Sequence, residues 1–203
     1  MNPGDGAHPA VAPATPGRIV DPSKLDLVAA ERAARDLLRS IGADAESPDL
    51  LETPRRVVAT FAELVTPAEF GATVFPNEGY DELVLVRDIS FQTLCMHHLL
   101  PFHGVAHVAY LPGQSIIGLS KLARVVEFFA RDLQLQERMT VQIADWLEHE
   151  LAPRGVGVVL SAEHMCMTIR GVRKPGARTV TSALRGSLRD DARTRQEFFS
   201  LVG

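Results

Sequence analysis

The sequence predicts an α+β protein in which two opening helices precede a strand–strand–helix–helix–strand–strand unit. Three observations carry that expectation. Amphipathic stretches near the start repeat their apolar residues at helical spacing. Runs rich in β-branched and aromatic residues then flank a second pair of helical stretches. No repeat at a short fixed period intervenes, so one domain accounts for the 203 residues.

Taken in order, residues 1 to about 20 are mostly Pro, Gly and Ala, too poor in large apolar side chains to order themselves, and a disordered tail is expected. Residues 21–203 form the domain, with 21–75 as a helical N-terminal part and 80–203 as the strand-bearing part. Asp21-Pro22 opens a helix running through Ile41, with Leu27, Leu37, Leu38 and Ile41 on its apolar stripe and Gly42 ending it. Thr53-Pro54 starts a second helix, with Val57, Val58, Phe61 and Leu64 on one face. A loop containing Gly71, Pro76 and Gly79 follows.

Leu83 to Phe91 and Val105 to Leu111 read as strands, which places the intervening Cys95-Met96-His97-His98 at a strand end or in the connection. Ser120 is expected to cap a helix carrying Leu122, Val125, Val126, Phe129 and Leu133. The next helix spans about Gln136 to Leu151, with Met139, Ile143 and Leu147 at helical spacing and Pro153 and Gly155 beyond its end. Val156 to Ser161 and His164 to Val172 read as strands, and Thr179 to Arg185 continues the second of these after a turn at Lys174-Pro175-Gly176.

A net charge of −4 supplies no global basic field, so neither nucleic acid nor an anionic membrane is an expected partner, and an anionic substrate has to be met by local clusters. No apolar run approaches the roughly 20 residues of a membrane span, and the first residues lack the basic and apolar regions of an export signal. With only two cysteines, a reduced cytoplasmic setting is expected, a Cys95–Cys166 bridge being the alternative.

Those two cysteines each lie close to histidine: Cys95 in Cys-Met-His-His and Cys166 in His164-Met165-Cys166. A free cysteine is most often a small buried hydrophobe. Two of them, each within three positions of a histidine, favour a metal, and thiolate with imidazole suits zinc better than magnesium or calcium. Cys95, His98 and Cys166 give three ligands and an open fourth position, the arrangement of a working zinc ion that holds water or substrate. A closed site with a second histidine as fourth ligand is the alternative. His97 and His164 are the candidates for acid–base work, against the plainer role of orienting a ligand. His103 and His107 read as structural, and His149 as solvated.

Lys121 and Arg124 lie one turn apart at a helix start beside Ser120, and Arg170, Arg173 and Lys174 follow Cys166 closely. Such groups hold phosphate through charge-assisted bonds. No Gly-x-x-x-x-Gly-Lys-[Ser/Thr] loop is present, so a nucleoside triphosphate would be gripped by side chains. In Gln134-Leu135-Gln136-Glu137-Arg138, a carboxylate beside an amide can accept from the edge of a guanine and reject adenine. The sequence lacks the His-x-Glu with Pro-Cys-x-x-Cys of zinc deaminases and the His-Glu-x-x-His of metalloproteases.

Together these segments resemble the GTP cyclohydrolase I family from about residue 21 to the C-terminus. The matching stretches are Thr53-Pro54-Arg55-Arg56, Cys95 to Phe102, Gly118 to Arg124, Gln134 to Arg138, and His164-Met165-Cys166-Met167 leading to Arg170-Gly171-Val172. The resemblance implies the tunnelling fold, or T-fold, in which ββααββ units of several subunits join their sheets into a barrel. That would cover the edges a short sheet otherwise exposes. It further implies a homodecamer of two pentamers, with active sites at subunit interfaces.

Residue by residue, the resemblance makes Cys95, His98 and Cys166 the ligands of Zn2+. His97, His164 and Ser120 become the catalytic groups. Gln136 and Glu137 face the guanine, while Lys121, Arg124, Arg170 and Arg56 face the triphosphate and sugar. The implied reaction turns GTP and water into 7,8-dihydroneopterin triphosphate and formate, the first step toward pterin and folate. The family motif usually reads Cys-Glu-His-His, whereas Met96 stands here at the glutamate position. A diverged relative that stops at a ring-opened formamide or takes another purine nucleotide is therefore one alternative. A silent nucleotide-binding assembly subunit is the other.

Overall fold

The computed structural model describes residues 17–203. Residues 1–16, most of the expected tail, lie outside the described residues. The end of that tail differs from expectation, because residues 18–20 are tied down. The main-chain N–H groups of Ile19 and Val20 each donate to the Asp132 carboxylate at 2.9 Å, and the Arg18 guanidinium donates to the carbonyls of Val65 and Arg131.

The helical N-terminal part holds α1 (Leu27–Ser40) and α2 (Thr53–Val65). The first begins later than expected. Asp21 caps only a 3-10 turn over Pro22–Lys24, and a second aspartate, Asp26, restarts the chain as α1 by accepting from the N–H of Ala29. A short strand β1 (Val74–Pro76) follows where a plain loop was expected. Next come β2 (Val84–Cys95), β3 (Pro101–Leu111) and β4 (Ser115–Ile117), the last pairing antiparallel with β1.

Two helices cross next: α3 (Leu119–Ala130) and, after the two-residue strand β5 (Leu133–Gln134), α4 (Gln136–Leu151). Gly118, not Ser120, holds the N-cap position of α3, so Ser120 lies in the first turn with no capping bond. The chain closes with β6 (Gly155–His164), α5 (Met165–Thr168), β7 (Thr179–Gly186), α6 (Ser187–Asp190) and α7 (Ala192–Val202). The strand expected over His164 to Val172 is absent. β6 ends at His164, one helical turn follows, and positive φ at Gly171 (61°) and Arg173 (49°) folds the chain back.

The main sheet runs in the order β5-β2-β3-β6-β7, and its four long strands with α3 and α4 between them give the ββααββ order of the tunnelling fold. Side-chain alternation in β3 sends Phe102, Ala106, Val108 and Tyr110 into one core, shared with Leu122, Val125, Val126 and Phe129 of α3 and Met139, Ile143 and Leu147 of α4. On the opposite face, Ala109 and Val159 pack against Leu188 and Phe198 from the C-terminal helices. Gly157 permits that second contact, since a Cβ there would sit 2.6 Å from Leu188 Cδ2 and 2.9 Å from Phe198 Cζ. No described helix is long and apolar enough to cross a membrane.

Candidate metal centre

Strand register gathers the expected ligands at one end of the sheet. Cys95 is the last residue of β2, and Leu94 stands opposite Pro101 at the start of β3. Phe102 pairs in turn with His164, the last residue of β6. The β2–β3 turn then folds back on Cys95. The Cys95 carbonyl accepts from the N–H of His98 at 3.3 Å and of Leu99 at 2.8 Å, and the Cys95 N–H donates to the Leu100 carbonyl at 2.9 Å. The turn aims His98 back at its own strand end, and Leu99 closes it at φ 55°.

One ligand atom each from Cys95, His98 and Cys166 fall within 4.8 Å of one another, although Cys166 is far off in sequence. Sγ of Cys95 lies 3.9 Å from Nδ1 of His98. Cys95 is buried, Cys166 half-buried and His98 exposed, so the group is anchored in the core on one side and open on the other. Burial pushes the Cys166 thiol up, reinforced by the nearby Cys95 and opposed by the Arg170 guanidinium. Such a group could hold a metal ion, which would displace the thiol protons.

His164 stands beside this group. Its ring stacks on Phe102 with centroids 4.4 Å apart and planes 9° from parallel, and its Nε2 lies 2.8 Å from Oε1 of Gln136. Burial lowers its pKa, with the Glu137 carboxylate acting the other way. Gln136 reaches it because β5 pairs parallel with the end of β2, Cys95 opposite Gln134, and so delivers the first residue of α4 to the same sheet end.

Gln136 itself is held inside the fold. It is 1% exposed, and its two Nε2 hydrogens are shared among the carbonyls of Leu160 and Thr179 and Thr181 Oγ1. With its nitrogen engaged inside the fold and its oxygen on His164, its side chain has no donor left for a purine edge. Glu137, its neighbour, is exposed.

The other expected residues are more scattered. His97 is exposed next to His98, their ring centroids 6.2 Å apart. Arg170 is exposed and within electrostatic range of Cys166. Ser120 and Arg124 are exposed on α3, with Lys121 half-buried between them, and Arg56 is exposed on α2. No hydrogen bond or ion pair among the described residues joins these four to the Cys95–His98–Cys166 group. Phe102 and the partners of Gln136 escaped the sequence reading. Phe102 had a signal, standing at the end of the Cys95 motif, whereas nothing in the sequence marks Thr140 or Thr181.

The GTP cyclohydrolase I family profile matches residues 30–203. Similar proteins include GTP cyclohydrolase 1 of Bacillus subtilis (strain 168), 54% identical over 82% of this chain and 90% of that protein. GTP cyclohydrolase 1 of Bacillus pumilus (strain SAFR-032) is 52% identical over 85% of this chain and 94% of its own. That of Aquifex aeolicus (strain VF5) is also 52% identical, over 85% and 94%. Among solved structures, the archaeosine synthase QueF-Like in the apo form aligns with 53% of this chain and 96% of its own, at 15% identity and a TM-score of 0.44.

Proposed function

The chain belongs to the GTP cyclohydrolase I family, and on that premise we propose that it hydrolyses the imidazole ring of GTP, releasing formate and forming 7,8-dihydroneopterin triphosphate. The observation that carries the proposal is the convergence of Cys95, His98 and Cys166. Two thiols and an imidazole are the donors of a catalytic zinc with three protein ligands. Donors on a tetrahedral zinc stand about 3.5–3.8 Å apart, given Zn–S near 2.3 Å and Zn–N near 2.0 Å. The 3.9 Å between Cys95 Sγ and His98 Nδ1 fits that spacing with little adjustment. When bound, zinc supplies Lewis acidity and a water activated near neutral pH for attack at C8 of the base.

The chain's own groups do the rest. His164, stacked on Phe102 and held by Gln136, delivers or removes a proton at the imidazole nitrogen of the purine. His97 and Ser120 serve the proton transfers at the ribose. The Glu137 carboxylate accepts from N1–H and the 2-amino group of guanine; adenine, which lacks both donors, is rejected. Lys121, Arg124, Arg170 and Arg56 take the triphosphate and sugar, and none of them has an ion-pair partner among the described residues.

No hydrogen bond or ion pair among the described residues joins Ser120, Lys121 or Arg124 to the metal group. That supports a site completed at a subunit interface, in a homodecamer of two pentamers. The outer strand β7, with Val180 64% exposed, offers an edge on which neighbouring sheets can join. A reducing cytoplasm is the proposed setting, because it keeps both thiols free for metal.

A second reading is favoured by Met96. Its N–H bonds the Gln134 carbonyl at 3.0 Å beside Cys95, and it places an uncharged thioether where the resemblance calls for a carboxylate. On that reading the reaction ends at the ring-opened formamide. Incubating zinc-loaded protein with GTP while following formate and pterin fluorescence tests both. Formate with fluorescence is the expected result. Ring opening without formate selects the shorter reaction, and GTP left intact overturns both readings.

A further inference from the structure

Behind His164, through Gln136, lies a closed chain of hydrogen bonds whose two threonines have no part in the proposed reaction. Gln136 Nε2 donates to Thr181 Oγ1 at 3.1 Å, and the two threonine hydroxyls lie 2.7 Å apart. Thr140 Oγ1 donates to the main-chain carbonyl of Gln136 at 2.7 Å. Thr140 has one hydroxyl proton and spends it there, so Thr181 donates to Thr140 and turns a lone pair to Gln136, whose two Nε2 hydrogens are shared among Thr181 Oγ1 and the carbonyls of Leu160 and Thr179. The Gln136 amide can then point only one way. Reversing it would set Oε1 against the carbonyls of Leu160 and Thr179 and against a hydroxyl oxygen whose proton is already engaged. With Oε1 fixed toward the ring 2.8 Å away, Nε2 of His164 has to carry a hydrogen.

We infer that Thr181 and Thr140 are positioning residues that, through Gln136, hold neutral His164 as its Nε2–H tautomer and leave Nδ1 as the nitrogen presented to the reacting ring. Three further observations agree. The Phe102 stack fixes the plane of the imidazole, so tautomer and direction are set together. No hydrogen bond occupies Nδ1 among the described residues. Thr140 and Thr181 sit on different elements, α4 and β7, so the chain locks the start of α4 to the sheet at the level of the site. The inference builds on the proposed role of His164, but the tautomer can be read whether or not GTP turns over.

The test uses the full-length, metal-loaded protein labelled with 15N-histidine, with the His164 signal assigned by its loss in His164→Asn. Two-bond proton–nitrogen correlations are expected to show a protonated Nε2 and a bare Nδ1. Thr181→Val, matched in shape but without the hydroxyl, should give a mixture of tautomers. Its kcat should fall roughly tenfold, the loss expected when one link of a coupled hydrogen-bond network is removed, with KM for GTP and metal content close to wild type. Thr181→Ser should restore both the single tautomer and kcat. A wild-type signal from the Nδ1–H form overturns the inference, as does a Thr181→Val protein that keeps one tautomer and full kcat. If wild type shows the Nε2–H form yet does not act on GTP, the proposed function fails and the positioning chain stands.

Discussion

Nδ1 of His98 lies 3.9 Å from Sγ of Cys95, across a turn closed by three main-chain hydrogen bonds. Two of the three donors are therefore set by local backbone, while the third, Cys166, arrives through the pairing of β3 with β6. Removing Cys166 should leave the turn intact and the metal weakly held. Cys166→Ala is expected to drop bound zinc from about one per chain to a small fraction, with little change in far-ultraviolet circular dichroism. Metal analysis after dialysis reads this. Because burial holds the Cys166 thiol above its ordinary value, zinc has to displace a proton there. Wild-type affinity should accordingly rise with pH, with proton release on loading. A Cys166→Ala protein that keeps its zinc would remove the proposed centre.

Four cations without ion-pair partners invite a second measurement. Lys121→Met, Arg124→Met and Arg170→Met each remove one charge while keeping much of the stem. GTP affinity should fall about three- to tenfold per substitution, since each bond to phosphate is charge-assisted and open to solvent. Guanosine, which keeps the sugar but lacks phosphate, should lose less affinity than GTP in each variant in calorimetry. Equal losses for GTP and guanosine would place these side chains away from the phosphates.

How far the site was legible in the sequence divides along chemical lines. Cys95, His98 and Cys166 announce themselves because thiol and imidazole have few other reasons to cluster. Glu137 and the basic residues stand out only as a pattern, since each alone reads as a solvated charge. The burial of Gln136 gave no local signal, because it depends on where Thr179, Thr181 and Leu160 come to rest. The same holds for the stretch after His164. Its aliphatic and sulfur-bearing residues resemble a strand, yet positive φ at Gly171 and Arg173 turns the chain back. Ser120 looked like a helix cap by residue type, but the β1–β4 pairing carries Gly118 to that position, its N–H bonded to the Thr73 carbonyl at 3.0 Å.

Asp132 gave no sequence signal, and its environment makes a stability prediction. It is 1% exposed and accepts from the N–H groups of Ile19, Val20 and Leu133. Asp132→Asn keeps the volume but turns an amide nitrogen toward main-chain donors. A loss of about 2–4 kcal/mol is expected, read as a lower midpoint in urea with an unchanged slope. Deleting residues 1–20 should destabilise in the same direction by stranding the carboxylate, and Asp132→Asn should cost less in that shortened chain. Additive losses would mean that the N-terminal segment and Asp132 act independently.

His107 makes the last prediction, concerning pH. It is buried in β3, and its Nδ1 accepts from the N–H of Asp88, a residue at φ 58° where β2 and β3 slip register. Burial is the main cause lowering its pKa; the Asp88 carboxylate opposes the shift and Arg87 reinforces it. The unfolded chain returns the imidazole to its ordinary value near 6.5, so below that pH the unfolded state binds more protons than the folded one. Its contribution is thus fully present above about pH 6.5 and declines as pH falls toward the folded value. Protonation also removes the lone pair that receives the Asp88 N–H. His107→Asn keeps an acceptor near the same place without titrating. Its unfolding free energy should fall less than that of wild type between about pH 7.5 and pH 5. His164 contributes a slope of the same sign in both proteins, so the difference between the two profiles isolates His107. Parallel profiles would show that the imidazole at the bulge does not couple to folding.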